Sequence, residues 1–559
     1  MNAAWLMLIS ALYFAAAYVF YGNFLKKVFG VEPQRACPSH ELADGVDYVA
    51  SPPPVLFGHH FASIAGAGPI VGPVLASQFG WLPALLWVCI GCVFVGAMHD
   101  FAAMFLSIRN QGRSIAYVVE KELGYVGRQL FLLFCFAMLV LVVTVFAILV
   151  ADSFLAVPAV ASSSLLFIVI APMFGVAVGR KILSLTEATL IFVPMLFLCV
   201  WVGTLLPLDL SRFCSSAGTA RMLWLLILFY YCYCASVLPV WVLLQPRDYL
   251  NSFLLYVMIA AGLAGVFVAR PSMALPPIVA ESPLIPSVFP LLFVTVACGA
   301  CSGFHAMIAS GTSAKQIDKE SHILPISYGG MLIEGLLAVL VICSISHFGL
   351  DNMKAMFAAK EAPQLIFANG LGQLCESMHI PFAVARNFVA LAISAFIMTS
   401  LDTATRLGRF IWQEMLLPGQ SQEGKAGRQK NIGPLRSLLG NRWFATLGII
   451  AFSAVMAFSG SGQQLWPVFG ASNQLLAALT LLAISLYLNR TKRPLLFALL
   501  PFIFMLLISI WALLVLIGQQ WGKSMALVTV SSILLILALV LCALGLNKFI
   551  KHMGKQPVE

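Results

Sequence analysis

Long apolar runs separated by short polar segments recur from one end of the chain to the other. A bilayer core takes roughly 20 apolar residues per helix. Windows of that kind predict spans near 2–25, 54–79, 81–106, 126–151, 163–179, 184–206, 222–244, 248–270, 288–311, 325–349, 382–405, 443–460, 465–488, 495–518 and 524–547. The expected fold class is an all-α polytopic membrane protein with about 15 transmembrane helices. The first run, Asn2 to Leu25, is longer than a signal-peptide core and lacks its basic start and small-residue cleavage pattern, so it is expected to be a retained span.

Composition agrees with this pattern. Of 559 residues, 61% are hydrophobic and 10% charged, and the mean hydropathy is +0.96, which excludes a water-soluble globular domain. The net charge of +10 points to a lipid bilayer rather than nucleic acid, because the basic residues lie in short segments between apolar runs. Counting spans puts Lys26, Lys27, Arg109, Arg113, Lys121, Arg128, Arg180, Lys181, Lys315 and Lys319 on one side. The run 406–442, Arg490, Lys492, Arg493, Lys548 and Lys551 join them. With that side cytoplasmic, the N-terminus is outside and the C-terminus inside. Thirteen cysteines are scattered through apolar stretches without zinc-type pairing and read as packing residues, Cys298 and Cys301 included. The hydrophilic stretch Gln420–Asn441 reads as a solvated linker.

Two predicted spans contain helix-breaking sequence. Gly58–Pro73 reads GHHFASIAGAGPIVGP, and Cys298–Gln316 reads CGACSGFHAMIASGTSAKQ. Glycine and proline at mid-membrane free backbone groups that lipid cannot satisfy. By the charge count the two segments run in opposite directions. Paired interruptions of this kind point to a transporter built from inverted repeats, in which half-helix ends face a solute; the plainer alternative is that the glycines only let helices pack closely. The partition that follows is a peripheral helix and cytoplasmic loop at 1–53, repeats at 54–206 and 288–488, an inserted hairpin at 207–287, and two peripheral helices at 489–559. Amphipathic runs at Arg113–Leu123 and Pro363–Leu374 are expected not to span.

These two segments, with TSLDTATR (Thr399–Arg406), LWPVFGASNQLLAAL (Leu465–Leu479), FGWLPALLWV (Phe79–Val88) and MHDFAAMFLSIRNQGRSI (Met98–Ile115), closely resemble the carbon starvation protein A family over roughly residues 55–482. The resemblance implies a bacterial inner-membrane carrier with a LeuT-like five-plus-five fold and discontinuous helices, active in carbon starvation and in uptake of pyruvate or peptides.

A small carboxylate in a dry site needs hydrogen-bond donors, and half-helix N-termini supply them. Ser63, Gly66, Ala67 and Gly68 in the first break, and Gly299, Ser302 and Gly303 in the second, are therefore candidate substrate ligands. His59, His60 and His305 are candidates to bind a carboxylate or relay a proton, against the plainer reading of helix-packing hydrogen bonds. Metal ligation is weakly supported, because adjacent rings on a helix point about 100° apart. Asp402, with Thr399, Ser400 and Thr403, forms a candidate ion-coupling group; in the family resemblance this span is where related symporters hold sodium. The alternative is an Asp402–Arg406 ion pair at i and i+4. Glu334, several residues inside a span, is a further candidate for carrying a proton. His99 and Asp100 read as a salt-bridged helix end, and Glu187 as the partner of Ser184 in a capping box.

The expected function is a symporter, not an enzyme, that imports a small carboxylated nutrient, pyruvate first, with a proton or sodium ion as coupling partner and no cofactor. Peptide or amino acid uptake is the alternative substrate. A membrane-embedded metal or haem enzyme using His59, His60, His99 and His305 is the alternative of another class.

Overall fold

A computed structural model of the chain describes residues 2–45, 48–239, 241–279, 288–416, 434–459 and 462–553. Among these, the secondary structure is helical apart from one isolated bridge between Asn2 and Ser272. The principal helices are α1 (Ala3–Phe29), α2 (Pro53–Ile64), α3 (Gly68–Ala76), α4 (Trp81–Gly91), α5 (Ala97–Arg109), α6 (Ile115–Ala156), α7 (Pro158–Gly179), α8 (Leu185–Leu205), α9 (Ala217–Val237) and α10 (Leu244–Ala269). They continue as α11 (Val288–Thr295), α12 (Ala297–Ala300), α13 (Gly303–Gly311), α14 (Gly329–Ile345), α15 (Pro363–Glu376), α16 (Phe382–Leu416), α17 (Arg442–Ser459), α18 (Gly462–Arg490), α19 (Leu496–Gln520) and α20 (Met525–Met553).

Fourteen segments among the described residues are long and apolar enough to cross a membrane. The chain is thus a polytopic membrane protein, and the count falls one short of the fifteen windows. The difference is 288–311, which is divided among the short helices α11, α12 and α13. Its apolar length is that of a span, but its glycines and cysteines do not hold one continuous helix.

The bundle is layered by burial. In α18, the segment Leu465–Arg490 has its most apolar window fully buried, and the 53–79 segment is almost as enclosed, whereas the 185–212 segment is buried over only 17% of its window. Side chains such as Leu190, Ile191, Leu198 and Trp201 on α8 are exposed, as expected of a lipid-facing surface, where the apolar solvent removes any penalty for exposure. The core therefore combines the interrupted 53–79 segment with the long helices α6 and α18.

The basic segments meet at one end of the bundle. Arg109 bonds the Gly30 carbonyl at 2.9 Å and Glu320 at 2.7 Å, Arg493 bonds the Val28 carbonyl at 2.8 Å, and Arg490 pairs with Glu122 at 3.1 Å. At the other end, the amide of Ala3 reaches Pro271, Leu275 reaches Ser346 and Trp81 reaches Pro276. Ser184 and Glu187 form the predicted capping box at the start of α8.

The amphipathic run 113–123 is helical from Ile115 and forms the start of α6, with Gly124 at φ 82° marking the bend. A left-handed φ is accessible to glycine without the Cβ penalty that other residues incur. The run near 363–374 forms α15, and most of its side chains are buried. Within Gln420–Asn441, residues 420–433 lie outside those described, and a short helix, Pro434–Leu439, follows.

Candidate functional site

Both predicted breaks are present. Between α2 and α3 the backbone leaves the helix at Ala65, with ψ 40°. Between α12 and α13 it is extended at Cys301 and Ser302, with ψ 124° and 123°. The two segments cross in opposite directions. Gly72 lies against the Thr295 carbonyl, Gly68 against Cys298, and His60 bonds the Ser313 hydroxyl at 2.8 Å, so descending numbers on one meet ascending numbers on the other. A Cβ at Gly68 would stand 1.9 Å from that of Cys298, which only glycine avoids. At Gly303 a Cβ would meet the Asn473 carbonyl and Ala477 amide of α18 at 2.5 Å.

The first break leaves donors available. Gly66 donates to the Ile64 carbonyl, and Ile70 and Val71 donate to that of Ala67, while the amides of Ala67 and Gly68 find no acceptor among the described residues. They stand at the N-terminus of α3, whose dipole favours negative charge. At the second break, Asn473 caps the helix: its side-chain oxygen accepts from the Phe304 amide at 2.9 Å, and its side-chain nitrogen bonds Ser302 at 3.0 Å. Gly299 packs beside Pro69 of the first break.

Two buried polar groups flank these breaks. In the first, His305 of α13 bonds Asp100 of α5 at 2.9 Å through Nδ1, and its Nε2 lies 3.5 Å from Glu334 of α14. His99 bonds the other Asp100 oxygen at 2.8 Å. All four side chains are buried, and neither Glu334 oxygen has a hydrogen-bond partner. The expected pairing of His99 with Asp100 is present, but not as a helix end: both are buried, and Asp100 also faces a histidine 205 positions away.

In the second group, Asp402 of α16 accepts from Arg247 of α10 and from the Tyr231 hydroxyl of α9, the latter at 2.7 Å. Arg247 also bonds Tyr231 and lies 3.3 Å from Asp248, whose other oxygen is 2.8 Å from His59. Asp402 thus finds its cation on another helix, while Arg406, the i+4 candidate, donates to the carbonyls of Ala235 and Leu238. Its neighbours divide. Ser400 donates to the Ser63 carbonyl at 3.0 Å, and the Thr403 and Ser63 hydroxyls are 3.5 Å apart, but Thr399 turns to Asn251 at 3.2 Å.

The candidate residues therefore assemble around two centres rather than one. His60 and His59, adjacent in sequence, bond Ser313 and Asp248 respectively. Sequence reasoning missed Arg247, Asp248, Tyr231 and Asn473. Arg247 and Asp248 were readable as an adjacent charged pair, but the span was started at 248, which left the arginine in a loop; both are at most 2% exposed inside α10. Of the four core histidines, His99 and His305 share Asp100 through Nδ1, while His59 and His60 direct theirs to Asp248 and Ser313. Among the described residues, no group of three or more His, Cys, Asp or Glu is arranged to hold a metal ion.

The model of the carbon starvation protein CstA family matches residues 2–359 and 349–512. The chain belongs to this family. The CstA relatives it resembles include the peptide transporter CstA of Escherichia coli K12, 31% identical over 94% of this chain and 81% of that protein. The peptide transporter CstA of Helicobacter pylori J99 is 32% identical over 88% of this chain and 78% of that protein. The pyruvate/proton symporter BtsT of Escherichia coli K12 is 29% identical over 92% and 81%. Among solved structures, a manganese transporter of Eremococcus coleocola aligns over 92% of this chain and 99% of that one, with a TM-score of 0.48 and 14% identity.

Proposed function

We propose that this CstA-family chain is a secondary active transporter that brings a small carboxylate, pyruvate, across the bacterial inner membrane with a proton. The observation that carries the reading is the buried line Asp100–His305–Glu334 at the second helix break. Two carboxylates on either side of one imidazole, in a region sealed from water, can hold and pass a proton but gain nothing as packing, since burying charge without full pairing is costly. His305 belongs to α13, so its protonation is coupled mechanically to the broken segment. The open amides of Ala67 and Gly68, with Gly66 and the Ser63 hydroxyl beside them, offer the carboxylate its donors. Gly299, which packs beside Pro69 of the first break, and Ser302, Gly303 and His60 complete the proposed site.

The accompanying architecture is the LeuT-like five-plus-five arrangement, with repeats at 54–206 and 288–488, the hairpin 207–287 inserted between them, and the N-terminus outside and C-terminus inside. The antiparallel crossing of the two breaks and the single basic end support it. One bundle rocks against the remainder and exposes the midplane site alternately.

Uptake of labelled pyruvate into proteoliposomes, with pH and sodium gradients imposed separately, tests the reading. Acid-outside gradients are expected to drive accumulation; its absence under every gradient would reject the transporter. A sodium-coupled reading rests on the oxygens of Ser63, Ser400 and Thr403, which gather beside the first break. Sodium-driven, pH-independent uptake would select it. Peptide transport is favoured by the peptide transporters among the relatives, and inhibition of pyruvate uptake by dipeptides, together with uptake of labelled dipeptide, would select that substrate.

A further inference from the structure

The basic end of the bundle contains a cavity of about 290 Å³, bounded by the ends of α7 and α13, the first turn of α10 and the inner part of α16. That volume is close to the lower limit of ordinary small-molecule pockets, roughly 300 Å³. Three of its lining residues, Arg180, Lys315 and Arg406, are cationic, and no described lining residue is acidic. Lys315 is held between two rings, its ammonium 5.3 Å from the centroids of both Tyr48 and Phe410. Glu414, one helical turn beyond Phe410 and within electrostatic reach of Lys315, accepts from the Ser114 hydroxyl with both oxygens at 3.1 Å, which leaves the cations around the cavity in excess. The neutral lining is polar as well: Gln245 donates to Gln316 at 2.6 Å, and Thr312 stands at the end of α13.

Three like charges around one recess repel each other, and low-dielectric walls strengthen that field, so the cavity attracts an anion of its own size. Its position gives the anion a route. Lys315 is two residues beyond Ser313, which bonds His60 on the first broken segment. We infer that this cavity is an anion-binding vestibule that takes a small soluble carboxylate, with Lys315 and Arg180 as its principal charges. Its role as an entrance or exit for solute rests on the transport reading above; the binding itself does not.

The test uses the full chain in neutral detergent with the substitution Thr312→Cys, and follows maleimide labelling of the peptide carrying residue 312 by mass spectrometry. The native thiols nearest in sequence, Cys298 and Cys301, are buried, and fragment masses assign the label to residue 312. Pyruvate is expected to slow labelling in a saturable way. K315Q and R180Q should each raise the half-protecting concentration by roughly tenfold, as loss of one charged contact predicts, while K315R should restore most of it. If T312C reacts too slowly to follow, Gln245→Cys on the opposite wall serves instead. No protection by pyruvate, or protection unchanged in both K315Q and R180Q, overturns the inference. Protection by phosphatidylglycerol micelles but not by pyruvate also overturns it and assigns the charges to lipid. Protection without any gradient-driven uptake rejects transport but keeps the vestibule, whereas normal uptake without protection rejects the vestibule alone.

Discussion

Arg247 and Asp402, 155 positions apart, form an ion pair that is almost completely shielded from solvent. It joins α10 to the helix that also contacts the first break through Ser400 and Thr403. A buried pair is costly to assemble, but removing one partner is worse, because the other charge stays behind.

The substitution Arg247→Met leaves Asp402 and Asp248 facing each other without a guanidinium between them. It should destabilise the protein by about 3–5 kcal/mol, seen as a large drop in the thermal unfolding midpoint in detergent. The double variant R247M/D402L should recover much of the loss. A double variant no better than the single one would show that the pair is not the source of the effect.

Proton coupling should depend on Glu334. E334Q keeps the shape of the side chain but removes its capacity to ionise, so uptake should lose its response to a pH gradient while exchange of internal for external pyruvate continues. Side-by-side measurements of net uptake and exchange in proteoliposomes check this; equal gradient response in E334Q and wild type would remove Glu334 from the mechanism.

Contact between the breaks makes Gly68 sensitive to a single methyl group. G68A should cost roughly 1–3 kcal/mol through overpacking and abolish uptake, because its Cβ would lie 1.9 Å from Cys298 Cβ. C298G removes that atom, and G68A/C298G should regain folding yield and part of the activity. An unimpaired G68A variant would contradict the close approach.

The capping box at the start of α8 offers a control away from the core. S184A should lower stability by about 1 kcal/mol and leave the pH response of uptake intact. Thermal unfolding combined with gradient-driven uptake separates the two effects.

Hydropathy made the spans legible, and glycine and proline made both breaks legible, because each is a local property of a short window. The basic end was equally accessible, since loop charges depend only on counting helices. What the sequence did not disclose was how each helix is rotated about its axis. Asp100 looked like a residue near a helix end, yet its side chain turns to His305 rather than to Arg109, which is occupied by Glu320 and the Gly30 carbonyl. Asp402 had a cation at i+4, but a distant one faces it more directly. Asn473 lay inside a quoted motif without a role, because capping of a helix 171 positions earlier has no local signature.

His59 and His60 occupy consecutive positions on one short helix and are tied to different elements, one to α10 through Asp248 and the other to the turn after α13 through Ser313. A rigid shift of that helix therefore acts on both tethers at once. Drawing α2 away from the turn after α13 and slackening its hold on α10 are, on this arrangement, a single mechanical event.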